Sequence, residues 1–145
     1  MAAPIRAFFH TSQVTTSRAG IDDGFEAATV HNHDLLADAV PFMASRAFNC
    51  RIEGIVIQVS SIAGSATKLT MRLCLDAAGD NIVIPDTQAT IATGMATGTA
   101  GSVAYSVGIP VAQTMAGAKG NFYLFIKTDT GTVTMDSSTI TWSES

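Results

Sequence analysis

The feature that most constrains this chain is a two-residue alternation of apolar and polar side chains, carried in short runs that are separated by Gly, Asn, Asp and Ser. Successive side chains of a strand point to opposite faces, so this period predicts antiparallel β structure and leaves little sequence for helices. From Arg46 to Ser60, Phe48, Cys50 and Ile52 share one phase while Ile55, Ile57 and Val59 share the other. The switch falls at Gly54, where a β-bulge or bend is expected. Lys68 to Leu75 is cleaner, with Leu69, Met71, Leu73 and Leu75 inward and Lys68, Thr70 and Arg72 outward.

The stretch Asp76-Ala-Ala-Gly-Asp80-Asn81 supplies turn chemistry, and Ile82-Val-Ile84 returns as the partner strand of a hairpin that Pro85 is expected to end. Three further runs follow. Val103, Tyr105, Val107 and Ile109 are in phase, as are Phe122, Leu124 and Ile126, and Thr132 to Trp142 reads as a strand broken near Asp136-Ser-Ser. Asp129-Thr-Gly131 between the last two reads as a short hairpin turn.

Elsewhere the pattern is weaker. Ile5 to His10 is a short strand, and Thr11 to Gly24 reads as a polar loop or extended arm with at most short strand character. Asp34-Leu-Leu-Ala-Asp38-Ala-Val has room for one helical turn before Pro41 blocks it. Ala92 to Ser102, with Gly94, Gly98 and Gly101, is a low-complexity loop. About eight strands in 145 residues predict an all-β chain. The expected fold is a single two-sheet antiparallel β-sandwich over 1–145, and a jelly roll is the best-populated solution for that strand number.

Composition limits the function classes. Charged residues make up 14% of the chain against about 25% in an average domain, hydrophobic residues reach 47%, and mean hydropathy is +0.30. A surface of Thr, Ser, Ala and Gly that lacks interspersed charge is that of an oligomer or a larger assembly. Net charge is −4 with no basic stripe, so nucleic acid is not an expected partner. No window approaches the roughly 20 apolar residues of a membrane-spanning helix, so no membrane partner is expected. Met1-Ala-Ala-Pro4-Ile-Arg6 runs into Ala7-Phe8-Phe9-His10 without the basic start and apolar run of a secretion signal, so a chain made in the cytoplasm, or one already mature, is expected.

The polar clusters give no active site. His31-Asn32-His33-Asp34 has alternate imidazoles that one ion would accept, with His10 a distant third ligand, but a solvated or interface loop is the better reading. Asp76-Ala-Ala-Gly-Asp80-Asn81 lacks the spacing and closing Glu of a calcium loop, and Asp22-Asp23-Gly24 is likewise read as a loop. No nucleophile elbow, phosphate-binding loop or dinucleotide fingerprint is present. No catalytic, cofactor-binding or metal-binding residue is therefore assigned, and no cofactor is expected. Cys50 shares the inward phase and Cys74 the outward one, so both are expected as reduced thiols. Tyr123 and Phe125, out of phase with Phe122 and Leu124, would make an aromatic platform for sugar, or a face covered by a neighbouring subunit; the covered face is preferred.

The late strand Asn121-Phe-Tyr-Leu-Phe-Ile-Lys127, the turn Thr128-Asp-Thr-Gly131 and the ending Ser138-Thr-Ile-Thr-Trp142, together with the chain's size, resemble the small β-sandwich, jelly-roll-like virion proteins of tailed bacteriophages, such as capsid decoration or cement proteins. The resemblance implies a non-enzymatic structural role in the virion, with other copies of the chain and other capsid proteins as partners, and 11–24 and 92–102 as contact segments. The alternative is a carbohydrate-binding or host-adhesion module on the same sandwich.

Overall fold

The computed structural model describes residues 9–26, 30–35, 48–93, 100–113 and 121–144. Among these residues there are ten strands: β1 (Phe9–Val14), β2 (Arg18–Ile21), β3 (His31–Asp34), β4 (Phe48–Ala63), β5 (Lys68–Cys74), β6 (Ile82–Thr90), β7 (Ala92–Thr93), β8 (Gly101–Gln113), β9 (Asn121–Thr128) and β10 (Thr132–Glu144). They form a six-stranded sheet, ordered β1-β10-β4-β8-β7 with β2 also on β10, and a four-stranded sheet, ordered β3-β9-β5-β6.

The pairings are nested. β5 pairs with β6, β4 with β8, β3 with β9 and β1 with β10, all antiparallel, and successive pairs alternate between the two sheets. The chain is thus one long antiparallel ribbon doubled at 75–81 and rolled around itself, which is the strand order of a jelly roll. Eight strands carry the roll, and β2 and β7 are short additions at its margins.

The alternation placed the core correctly. Ile52, Ile55, Ile57, Leu69, Leu73, Phe122, Leu124, Ile126, Ile140 and Trp142 are fully enclosed between the sheets. Burying each such side chain contributes about 1.5–3 kcal/mol. The phase switch at Gly54 is a β-bulge, since the register of β4 against β8 shifts between Ile52 and Gly54.

Several expectations need correction. Residues 11–24 are not a loop or arm throughout, because β1 extends to Val14 and β2 spans Arg18–Ile21, both on β10. Pro85 does not end β6, which runs to Thr90; β6 is an edge strand, and the register shift opposite Met71 and Leu73 places a bulge at Pro85 and Asp86, where no ladder N–H is required. β10 is not broken at Asp136 but bulged, with β2 on one side of the bulge and β1 on the other. The 129–131 turn is not a hairpin turn, since it carries the chain from β9 in one sheet to β10 in the other. Residues 5–8 of the first run, the helical turn after Leu35 and residues 94–99 of the Gly-rich loop lie outside the described residues.

The 76–81 turn is held by one carboxylate. Asp76 Oδ1 accepts from the backbone N–H of Gly79 (2.9 Å), Asp80 (2.9 Å) and Asn81 (3.3 Å), and Oδ2 accepts from Asn81 Nδ2 (3.0 Å). Those lone pairs are spent on the turn, so the loop is a side-chain-capped hairpin. Asp76→Ala is expected to cost about 1–3 kcal/mol by removing the charged acceptor of these hydrogen bonds, read as a fall in the midpoint of thermal unfolding; no change would show that water replaces the carboxylate without loss.

Candidate assembly surface and the buried histidine cluster

The two histidines of the 31–34 run are not in a loop. They lie on β3 with Asn32 and Asp34 exposed between and beyond them, and both imidazoles are fully buried. Burial forces each ring nitrogen to find a partner. His31 Nε2 lies 2.7 Å from Thr16 O, His31 Nδ1 2.6 Å from Ser138 Oγ, His33 Nε2 2.7 Å from the same Ser138 Oγ, and His33 Nδ1 3.0 Å from Ser12 Oγ.

A carbonyl only accepts, which fixes the direction of the whole series for neutral rings. His31 Nε2–H donates to Thr16 O, Ser138 O–H donates to His31 Nδ1, His33 Nε2–H donates to Ser138 Oγ, and Ser12 O–H donates to His33 Nδ1. Every ring nitrogen is committed, which leaves no lone pair for a metal ion. His10 goes elsewhere, its ring stacked on Trp142 at 4.5 Å and 25°. Desolvation, and then the neighbouring His31, lower the His33 pKa to about 4. His31 is also lowered, chiefly by burial, with the Thr16 carbonyl working upward and Arg18 downward. Ser138 is itself fully buried, so this series of hydroxyls and imidazoles has no approach for a substrate. The alternate spacing of His31 and His33 was visible in the sequence but was read as a loop, and Ser12, Thr16 and Ser138 carried no signal, the last standing 107 residues from His31.

Asp22 Oδ1 accepts from Gly24 N at 3.0 Å, so the 22–24 loop is closed by its own side chain. Asp22 O also accepts from Thr128 N at 2.7 Å, which lays this segment across the outer face of the four-stranded sheet. There Phe25 sits between Arg72, 4.5 Å from its ring centroid, and Lys127, 4.7 Å away, and meets Phe125 edge-on at 6.3 Å. Phe125 is consequently buried, and so is Cys74, although its phase was outward. The expected Tyr123 and Phe125 platform is therefore not exposed as a pair, and the cover comes from the chain's own 22–26 segment. Cys50 and Cys74 are both free thiols, and burial pushes Cys50 up to about 12.

The outer face of the six-stranded sheet has a different character. Register aligns Thr11, Thr141, Gly54 and Ser106 in one row across four strands, and Gln13, Thr139, Val56 and Ala104 in the next. Thr11, Gln13, Val56, Ala104 and Ser106 are exposed. At one end Phe9 is 62% exposed, and Arg51 pairs with Glu53 at 3.2 Å. The two rows carry no charge at all, which is how a low-charge composition is laid out in space.

No protein-family model matches the chain, and no curated protein sequence matches it either. Among solved structures it is similar to a chain of the cyanophage Pam1 capsid asymmetric unit, at 14% identity and a TM-score of 0.46, covering 100% of this chain and 93% of that one. It is also similar to the Tomato Aspermy Virus structure, at 9% identity and a TM-score of 0.37, covering 100% and 82%. A family GH115 4-O-methyl-α-glucuronidase matches at 9% identity and a TM-score of 0.42, covering 86% of this chain and 14% of that one. With every TM-score below 0.5, these likenesses carry no inference about role. No helix among the described residues is long and apolar enough to cross a membrane.

Proposed function

We propose that this chain is a non-enzymatic structural subunit of a viral particle, in the manner of a capsid decoration or cement protein, and that it stabilises the shell by contact with copies of itself and other capsid proteins. The observation that carries the reading is the outer face of the six-stranded sheet. Two uncharged rows of Thr, Gln, Ser, Ala, Gly and Val span four strands there, and charge depletion at the centre of a patch is the compositional mark of an interface. Small neutral side chains lose little conformational entropy and need little desolvation when another surface covers them. Weak contacts of this kind add up across a symmetric shell. The opposite outer face is partly occupied by the chain's own Phe25 segment, which supports the six-stranded face as the one left for partners.

The test is light scattering of the purified chain over a range of concentrations, together with a search for it in sedimentable particles. An oligomer, or recovery with particles, supports the reading; a monomer at every concentration that is absent from particles overturns it. Val56→Glu places a charge at an exposed site in the middle of a neutral row. It is expected to weaken association at least about tenfold, the scale of one uncompensated interface charge, while leaving thermal unfolding within about 1 kcal/mol of the parent.

A further inference from the structure

The histidine relay joins two edge strands, each held by a ladder on one side alone. β1 is an edge strand of one sheet and β3 an edge strand of the other, and β3 is only four residues long. Ser12 on β1, Thr16 in the β1–β2 crossover and Ser138 on β10 all reach the two imidazoles of β3, so the relay spans the seam between the sheets.

The relay is complete only while both rings are neutral. A proton on His31 Nδ1 would meet Ser138 Oγ, which already accepts from His33, and the Ser138 hydroxyl proton would lose its acceptor. A proton on His33 Nδ1 would displace the Ser12 hydroxyl proton in the same way. Among the described residues, no carboxylate has a contact with either ring. Arg18 on β2 opposes protonation of His31, and the two imidazoles lie 6.3 Å apart and oppose each other. β9 sets Leu124 and Phe122 opposite them, β10 contributes Ser138, β1 contributes Ser12 with His10 stacked on Trp142, and the carboxylates of Asp34 and Asp136 are exposed.

We propose that this seam is an acid-operated latch, in which neutral His31 and His33 hold β1 and the 15–17 crossover against β3 and release them on taking up protons. β4 and β5 keep their ladders on both sides, and β9 and β10 keep theirs to β5 and β4, so opening stays local. This inference does not depend on the virion reading.

Backbone amide exchange of the intact chain at about pH 7 and about pH 5, corrected for intrinsic exchange, is the test. Protection at Ser12–Val14 and Asn32–Asp34 is expected to fall by about tenfold or more relative to Leu69–Leu73 and Leu124–Ile126. The His33→Gln variant is expected to show a smaller pH dependence, with the remainder due to His31; if it does not fold, the parent chain alone decides. A parallel loss in all four segments, or an unchanged ratio, overturns the proposal.

Discussion

Gly131→Ala is expected to lower the stability of the fold by about 2–5 kcal/mol, the larger of two effects that follow from the way the sheets are joined. Gly131 has φ +65°, a left-handed conformation that costs an L-residue about 1–2 kcal/mol. A Cβ there would also meet the carbonyl oxygen of Gly64 at 2.6 Å and press on that of Ala63. Those atoms are backbone and do not swing aside as a side chain would, so overpacking adds about 1–3 kcal/mol. The reason lies in the topology. The 64–67 corner carries the chain from β4 to β5 and the 129–131 corner carries it from β9 to β10, each crossing between the sheets, and the two corners stack. Asp129 ties them further, accepting from Thr67 N (3.1 Å), Thr67 Oγ1 (2.9 Å) and Lys68 N (3.2 Å). Gly20 is the control, since it has φ +71° but nothing within 4 Å of its missing Cβ. Urea unfolding of both alanine variants decides the matter: a loss at Gly131 no larger than at Gly20 would mean that the stacked corners yield without cost.

The second large effect is a loss of stability in mild acid. Unfolded histidine titrates near 6.5, whereas His33 in the fold does so at about 4. Below about pH 6.5 the unfolded chain therefore binds protons that the folded chain refuses. The stability contributed by His33 is fully present above that pH, falls as pH drops toward 4, and levels off below. A depression of that size corresponds to about 3 kcal/mol, and His31 acts in the same direction. Carboxylates act lower on the scale. At Asp129 desolvation works upward, but the Thr67 and Lys68 donors prevail and hold it at about 2. Urea midpoints measured at intervals from about pH 7.5 to about pH 4.5 are expected to decline for the parent and to flatten for His33→Gln. A flat parent curve would mean that the imidazoles charge without penalty.

Local chemistry was legible in the sequence, and long-range pairing was not. The Gly54 phase switch, the Asp76 turn and the inward triplet Phe122, Leu124 and Ile126 are each decided by neighbours within a few residues, and each stands as read. The 11–14 part of β1 was missed because the inward phase there begins with His10 and Ser12; those polar groups are acceptable inside only because partners from β3 and β10 satisfy them or stack on them. Pro85 misled because the rule that proline ends a strand holds for central strands, and whether β6 is central or at an edge is decided by the sheet order. Thr128-Asp-Thr-Gly131 has the composition of a hairpin turn, yet β9 and β10 each find another partner. Phe125 read as outward and is outward, but Phe25, a hundred residues away in sequence, folds over it, which no alternation records.

β10 borders β1, β2 and β4, so three strands made earlier depend on one made near the end of the described chain. During synthesis β4 and the first two strands wait with open ladder edges until Thr132–Glu144 leaves the ribosome. Such an interval favours pairing with the wrong strand or with another nascent chain. The closing step joins Phe9 to Ser143, near the widest separation the described sequence allows, and a search of that length is slow. Conditions that slow aggregation are therefore expected to raise the yield of folded protein more than those that strengthen the finished core.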